Sequence, residues 1–185
     1  MISVTKQKIA DAFLEAAQHK PIDKVTVKDV VSICGITRQT FYYHFQDLLE
    51  VVEWLVGERV DMLLEETMAA ESPKAAIRVM LSTVSEQPDF IKQLMRSRKR
   101  EEAERIFFDA ARTFFSALMR RASVAPNIKH PSDLDVALTF YASAMVGVLM
   151  EASQRSNVDL DLLADQLHRL LEGEIFPPRD CGASS

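Results

Sequence analysis

The stretch that most constrains this chain runs from Thr26 to Phe45 and reads TVKDVVSICGITRQTFYYHF. Thr26 is a residue type that caps helices. Apolar side chains follow it at helical spacing, at Val27, Val30, Val31 and Cys34. Gly35 can adopt the positive φ with which such a helix ends. The pattern therefore predicts a short helix that buries one face and stops at a tight turn.

A second short helix is predicted directly after that turn. Thr37 is again a capping residue type, and Phe41 and Phe45 lie four positions apart, so they face the same way. The side chains left facing outward are hydrogen-bonding or stacking groups with no carboxylate among them: Arg38, Gln39, Thr40, Tyr42, Tyr43 and His44. An α-helix fits the major groove, where Arg and Gln bond base edges and Thr meets a thymine methyl or a phosphate. The stretch predicts a helix-turn-helix with double-stranded DNA as its partner.

From Thr5 to Leu49 the sequence resembles the N-terminal domain of the TetR family of bacterial transcription regulators. The residues that carry the resemblance are Ile9, Ala12, Phe13, Ile22, Val25, Thr26, Val27, Asp29, Gly35, Ile36, Thr37, Thr40, Phe41, Tyr42, His44, Phe45 and Leu49. Two positions depart from the family pattern. Pro21 replaces a usual Gly after the first helix, and Leu48 replaces a usual Lys at the start of the fourth. That Lys contacts a phosphate in the family, and Leu48 is unable to do so.

The resemblance implies a fold and a set of contacts. The fold is all-α, with an N-terminal three-helix helix-turn-helix domain and a larger helical ligand-binding and dimerisation domain, about nine helices in total. The protein would be a homodimer on a palindromic operator, and a small apolar or amphipathic effector would control its DNA affinity. The base-facing residues would be Lys28, Arg38, Gln39 and Thr40. The phosphate-binding residues would be Thr26, Thr37, Tyr42, Tyr43 and His44.

The composition agrees with this architecture. The chain has 185 residues, 48% of them apolar, with 5 Gly and 7 Pro, which is typical of a globular, mostly helical protein. Its net charge of −5 is unusual for a DNA-binding protein, but the charge is unevenly distributed. Residues 1–46 carry six Lys and Arg against four Asp and Glu, so the acidic excess lies in the remainder. A locally basic face can bind phosphates while the rest keeps the molecule soluble.

Three segments are predicted along the chain. Residues 1–46 form the DNA-binding domain, residues 47–176 the effector-binding and dimerisation domain, and residues 177–185 a flexible tail. A long helix capped by Asp47 follows the first domain and is the natural lever between the two. Trp54 lies on this helix, where a core position is favoured over a ligand contact.

Methionine and phenylalanine side chains recur at helical spacing on the middle helices. They could line a cavity for an apolar or amphipathic molecule, at Met62, Met80, Met95, Phe107 and Phe114. Such residues are also ordinary core positions, and the spacing leaves both interpretations open. The family resemblance is what favours a ligand pocket.

The last two predicted helices have more apolar surface than one protomer can cover. Positions 136–150 are apolar around most of the circumference, with small residues between the large ones. A helix that is apolar on all sides must be covered on all sides, so one face is expected to meet a second copy about a two-fold axis. The predicted dimer interface comprises Tyr141, Met145, Val148, Leu149, Leu163, Leu167 and Leu170.

The sequence does not support an enzyme, a cofactor or a metal site. It has no Gly-x-Ser-x-Gly element, no phosphate-binding Gly-rich loop and no Cys-x-x-Cys pair, and its four histidines lack metal-ligand spacing. The basic run Arg96–Arg100 suggests nucleic acid when taken alone. Because glutamates follow it, the pairs Arg98–Glu102 and Arg100–Glu104 favour a solvated helix instead.

The sequence also predicts a cytoplasmic protein without a membrane partner. No apolar signal segment is present at the N-terminus, and the longest apolar run, Ala137–Met150, is too short to span a bilayer. Cys34 and Cys181 are too few for a disulfide framework.

A second functional hypothesis keeps the fold and the DNA but replaces the small ligand. The run ITRQTFYYHF is similar to that of the activators of dihydroxyacetone kinase operons, a branch that responds through a partner protein. The C-terminal domain would then bind another protein, and the complex would control transcription. The residues leave the sign of control, repression or activation, open.

Overall fold

A computed structural model describes residues 4–121, 129–130, 132–155 and 157–175 of the protein. Over these ranges it is all-α without a strand, as predicted, and contains nine α-helices. A short 3-10 turn, Ile22–Lys24, lies between the first two helices. The helices are α1 Val4–His19, α2 Val27–Cys34, α3 Arg38–His44, α4 Leu48–Met68, α5 Pro73–Glu86, α6 Pro88–Met95, α7 Arg100–Arg121, α8 Asp133–Gln154 and α9 Leu160–Leu171.

α2 and α3 begin and end where the sequence predicts. α2 opens with a capping box: the backbone N–H of Thr26 donates to Asp29 Oδ2 at 2.8 Å, and the backbone N–H of Asp29 donates to Thr26 Oγ1. Gly35 ends α2 with a φ of 68°, in the left-handed region. α3 opens at Thr37, whose Oγ1 accepts from the backbone N–H of Thr40 at 3.0 Å. Neighbouring side chains thus satisfy the helix ends, which makes this turn a local property of the sequence.

Side-chain caps also open α4, at the predicted Asp47, and α5, whereas α8 lacks one. Asp47 caps α4 and Ser72 caps α5 through their side-chain oxygens, as expected for both residue types. Ser132, at the start of α8, makes no such bond because its backbone is already helical. The carboxylate of Asp133 instead accepts from the backbone N–H groups of residues 129–130.

The largest core cluster joins the N-terminal helices to the rest of the molecule. We call residues 4–45, which carry α1 to α3, the head, and α4 to α9 the body. From the head the cluster buries Ile9, Phe13, Val30, Phe41 and Phe45. From the body it buries Val51, Val52, Leu94, Met95 and Ala103. The head and the body therefore share one core.

Two smaller clusters hold the body together. α7 contacts both α4 and α8, and the side chains buried among them are Leu64, Met80, Phe114, Phe115 and Leu138. α9 packs on α5 through Ile77, Leu81 and Ala164. α4 contacts α1 as well as α5 and α7, so it runs from the head into the body.

The basic run before α7 is engaged in ion pairs, one of which differs from prediction. Arg100 pairs with Glu104 at 2.7 Å, as expected. Glu102 pairs with Lys99 at 3.1 Å rather than with Arg98, which lies in the turn before α7, where its backbone N–H donates to Asp23 Oδ1. The predicted tail at 177–185, with Cys181, and most of the connector at 126–131 lie outside the described residues.

Candidate nucleic-acid interface

The start of α2 is organised around Asp29. Its Oδ2 accepts from Thr26 Oγ1 at 2.6 Å and lies 2.7 Å from Lys20 Nζ. The hydrogen bonds from Lys20 and from Thr26 hold the pKa of Asp29 well below its ordinary value. Asp29 is therefore ionised and structural at neutral pH, as its position at the positive end of the helix predicts. Lys28, beside it, is exposed to solvent.

α3 turns its polar side chains away from the core. Those exposed along it are Arg38, Gln39, Tyr42 and Tyr43. Tyr43 is 84% exposed, and its ring meets the ring of the half-buried His44 edge-on at 5.0 Å. The hydroxyls of Thr37 and Thr40 lie 2.9 Å apart and share a hydrogen bond. This surface offers donors and rings, with no carboxylate, which suits an anionic polymer.

The surface of α3 rests on an aromatic cluster. Phe41 and Phe45 are buried behind it, with ring centroids 6.1 Å apart. The ring of Trp54 on α4 meets Phe45 edge-on at 6.2 Å, and Lys6 Nζ lies 5.0 Å over the Phe45 ring. Leu48, at the family's usual Lys position, packs on the same core. The support of α3 thus includes side chains of the body.

A half-open cavity of about 340 Å³ lies in the body and reaches α1 of the head. Of the predicted ligand-binding residues, those that line it are Met62, Met80, Phe107 and Phe114. Met95 does not line it, which corrects that assignment. It lies one turn beyond the cavity on α6 and is buried in the main core near Ala103.

Several lining residues were not foreseen from the sequence. They come from helices far apart in the chain: Gln7, Leu14, Trp54, Arg59 and Phe90. An apolar repeat places a side chain on the inner face of its helix, but it does not distinguish a filled core from a cavity wall. Trp54 is both, since it lines the cavity and contacts Phe45.

Arg59 brings a cationic group to the cavity, and two carboxylates hold it there. Its Nε lies 2.8 Å from Glu86 Oε2, and its Nη2 lies 3.2 Å from Glu66 Oε2. Burial alone would lower the pKa of Arg59, but the hydrogen bonds with Glu86 and Glu66 outweigh it and raise the pKa above its ordinary value. This network ties α4 to the end of α5 at the cavity.

The predicted dimer residues lie mostly against their own protomer. Tyr141 and Met145 pack on the α4–α7–α8 cluster. Val148, Leu149, Leu163 and Leu167 pack on the α5–α9 cluster. Leu170 is exposed. The same two helices expose other large apolar side chains, namely Leu134, Val136, Phe140, Leu162 and Leu171.

α8 also has the length and apolar composition of a membrane-spanning helix, which the core helix of a soluble protein can share. Among the described residues, no group of three or more His, Cys, Asp or Glu side chains is arranged to hold a metal ion.

Fold and surface together define a helical DNA-binding regulator of transcription built on a helix-turn-helix. Residues 9–52 match the family of bacterial regulatory proteins named tetR, and residues 71–173 match a transcriptional regulator C-terminal region. The chain belongs to the TetR family, as its sequence predicts. Members of this family regulate transcription and are not enzymes, which agrees with the sequence prediction.

Individual relatives share either a short segment or the fold. The dhaKLM operon transcriptional activator DhaS of Lactococcus lactis is 35% identical over 52 residues, 28% of this chain and 28% of that protein. A solved dihydroxyacetone kinase operon activator DhaS has a TM-score of 0.67 at 20% identity, over 93% of this chain and 96% of its own. Lin0861 from Listeria innocua has a TM-score of 0.70 at 16% identity, over 93% of each chain. FadR from Bacillus subtilis, solved with stearoyl-CoA, has a TM-score of 0.57 at 13% identity, over 91% of this chain and 98% of its own. At these identities the structures indicate a shared fold alone.

Proposed function

We propose that the protein is a homodimer that reads a palindromic operator and changes its DNA affinity when a small apolar or amphipathic effector enters the cavity. One observation carries this proposal: the core behind α3 continues into the cavity wall. Trp54 lines the cavity and contacts Phe45 of the head, and Phe90 lines it and meets the ring of Phe13 edge-on at 5.8 Å. A change of cavity shape therefore acts directly on the support of α3.

The exposed side chains of α2 and α3 would divide the DNA contacts. Lys28, Arg38, Gln39 and Thr40 would face base edges in the major groove. Tyr42, Tyr43 and His44 would contact phosphates. Thr26 and Thr37 use their hydroxyls as helix caps, so they would support phosphate binding by fixing where the two helices begin.

Control by the effector would depend on the distance between two copies of α3. In a dimer these helices must lie about 34 to 36 Å apart to enter successive major grooves. Besides the ring contacts, Gln93 Nε2 of α6 donates to the carbonyl of Ala17 on α1 at 3.1 Å, so α6 holds the head at a second point. An effector that favours one spacing changes DNA affinity by a coupling factor of typically ~5 to 150-fold. Repression and activation differ only in which spacing it favours.

A second copy would cover the exposed apolar faces of α8 and α9. On α8, Val136, Phe140, Ala144 and Gly147 follow a helical repeat on the outer side. A Cβ added at Gly147 would meet nothing within 4 Å, so the protomer leaves that surface open. Leu162, Leu170 and Leu171 of α9 add to the apolar area, as in a four-helix dimer interface. Such a dimer would work in the cytoplasm, where its DNA lies.

DNA binding by the full chain tests the proposal first. Fragments from the DNA that flanks its own gene should be bound in preference to unrelated DNA of equal length in an electrophoretic shift assay. Preference should persist as salt rises, because base contacts remain when phosphate contacts are screened. A protein that shifts no flanking fragment would contradict the proposal.

A charged substitution on the exposed face of α8 tests whether the protein dimerises through that face. Phe140→Glu should give a monomer in sedimentation analysis and abolish specific DNA binding, because one α3 reads only half a site. Met68→Glu is the matched control, since Met68 is also exposed but lies at the end of α4. Equal dimerisation by the wild type and Phe140→Glu would exclude this interface.

Control by a partner protein is the second candidate. It is favoured by the similarity to the activator DhaS, which extends over 52 residues. Under this alternative no metabolite would raise the melting temperature, whereas an effector at 100 times its Kd adds ~2.7 kcal/mol of stability. A thermal shift with a metabolite panel separates the two.

A further inference from the structure

Negatively charged side chains outnumber positively charged ones around the cavity. The charged side chains that line it are Glu58, Arg59 and Glu86. Arg59 is already occupied by Glu86 and Glu66, as described above. Glu58, its neighbour on α4, is half-buried and forms no hydrogen bond or ion pair with another described residue. The cavity therefore presents one uncompensated carboxylate.

The apolar part of the wall is rich in aromatic rings. Five line the cavity: Trp54, Phe90, Phe107, Phe114 and Phe115. The face of such a ring is electronegative and attracts a cation within about 6 Å of its centre. A carboxylate and several rings around one apolar space form the surroundings in which organic cations are held in proteins. The volume of about 340 Å³ suits a small molecule of this kind.

We propose that this cavity takes an apolar organic cation, such as a substituted ammonium, whose charge lies near Glu58 and whose apolar part lies among the rings. This names the effector class for the function proposed above and rests on it. Binding compensates the charge of Glu58 and breaks no existing ion pair.

An anionic amphiphile would be a poorer occupant. To bind Arg59 it would have to compete with Glu86 and Glu66, which already pair with this guanidinium. It would also bring its negative charge close to Glu58. A neutral ligand avoids both penalties but leaves Glu58 uncompensated.

Three probes of similar size separate these cases: decyltrimethylammonium, decanol and decanoate. Trp54 is the only tryptophan and lines the cavity, so its fluorescence in the full chain reports binding. The ammonium should bind most tightly and decanoate least. Glu58→Gln should lower the affinity for the ammonium about tenfold, a difference of ~1.4 kcal/mol, and leave the affinity for decanol unchanged. Glu53→Gln removes the same charge from an exposed position of α4 outside this cavity and should change neither.

The opposite pattern overturns the inference. Tighter binding of decanoate than of the ammonium, equal binding of the three probes, no binding by any of them, or no effect of Glu58→Gln would each exclude a cation site. Fluorescence anisotropy with labelled flanking DNA keeps this result separate from the proposed function. If the ammonium binds with the expected preference but the protein does not bind DNA, the proposed regulatory function is wrong and the cation site is supported. If the protein binds DNA but the order of probe affinities is reversed, the regulatory function is supported and the cation site is excluded.

Discussion

The head and the cavity are built from similar apolar and aromatic side chains, but they are assembled differently. In the head, the residues that cap and turn α2 and α3 lie between Thr26 and Phe45, while the core behind α3 also includes side chains of the body. The cavity wall combines side chains from six helices, from Gln7 on α1 to Met150 on α8. Local caps and a local turn hold α2 and α3 in place relative to each other when the helices behind them move. A space between distant helices changes shape when they move, and this difference suits one region to recognition and the other to control.

Replacing one phenylalanine by alanine in each region should show this contrast most strongly. Phe41 is 0% exposed in the close-packed head, so Phe41→Ala should lower the free energy of unfolding by ~3 to 5 kcal/mol. DNA binding should be lost with it. Chemical denaturation measures the stability, and Tyr43→Ala, at the exposed position, should stay within ~0.5 kcal/mol of the wild type.

The matching deletion in the cavity is Phe107→Ala. Phe107 is only half-buried, and its cavity side has no packing partner, so the change should cost less than ~3 kcal/mol. If Phe107→Ala destabilised the chain as much as Phe41→Ala, the cavity would be closed and packed in solution.

Arg38→Ala tests whether the surface of α3 reads sequence. Arg38 is exposed and forms no hydrogen bond or ion pair with another described residue, so stability should be retained. Affinity for the operator should fall by ~1 to 3 kcal/mol, with preference relaxed at one base pair. The measurement is a binding series over operators altered one base pair at a time. Equal loss on every sequence would assign Arg38 to a phosphate.

A smaller effect concerns the acid sensitivity of the head. Because the pKa of Asp29 is lowered in the folded state, its ion pair and capping box stabilise the head fully above the ordinary Asp pKa of ~3.9. That contribution is lost as the pH falls below this value, since the unfolded state then binds a proton more readily. Asp29→Asn should lower stability at neutral pH and flatten its decline in acid, as followed by denaturation at several pH values. An unchanged acid decline would show that Asp29 does not contribute to it.

The smallest expected effect is at Leu48. Restoring the family's usual residue with Leu48→Lys should steepen the salt dependence of DNA binding by ~0.9 per half-site, if the new Lys neutralises one phosphate. Because Leu48 packs on the main core, stability has to be compared alongside. An unchanged slope would mean that the side chain at this position does not reach the DNA.

The sequence predicts the head well because the interactions that shape α2 and α3 are short-range. Thr26, Asp29, Gly35 and Thr37 each act on backbone groups within a few residues, and each does so in the structure as expected. Helical periodicity also predicts the long helix that follows Asp47. It does not say which neighbour a face meets, so it does not distinguish Met95, which lies in the core, from residues that line the cavity.

The same limit applies to the last two helices. α8 is apolar around its circumference, so its sequence cannot rank one face above another. Val148 and Leu149 look as suitable for a partner as Phe140 does, yet they pack on the protomer's own α5–α9 cluster. Only the positions of α5 and α7 in the fold leave Phe140 outside.

The shared core has a consequence for attempts to exchange parts between relatives. A chimera cut after residue 46 would carry Phe13 and Phe41 away from Val51, Leu94 and Ala103, which complete the same cluster. A portable DNA-reading unit of this protein would therefore have to include these residues of α4, α6 and α7. A graft limited to the helix-turn-helix would lack the body residues that pack against its buried face.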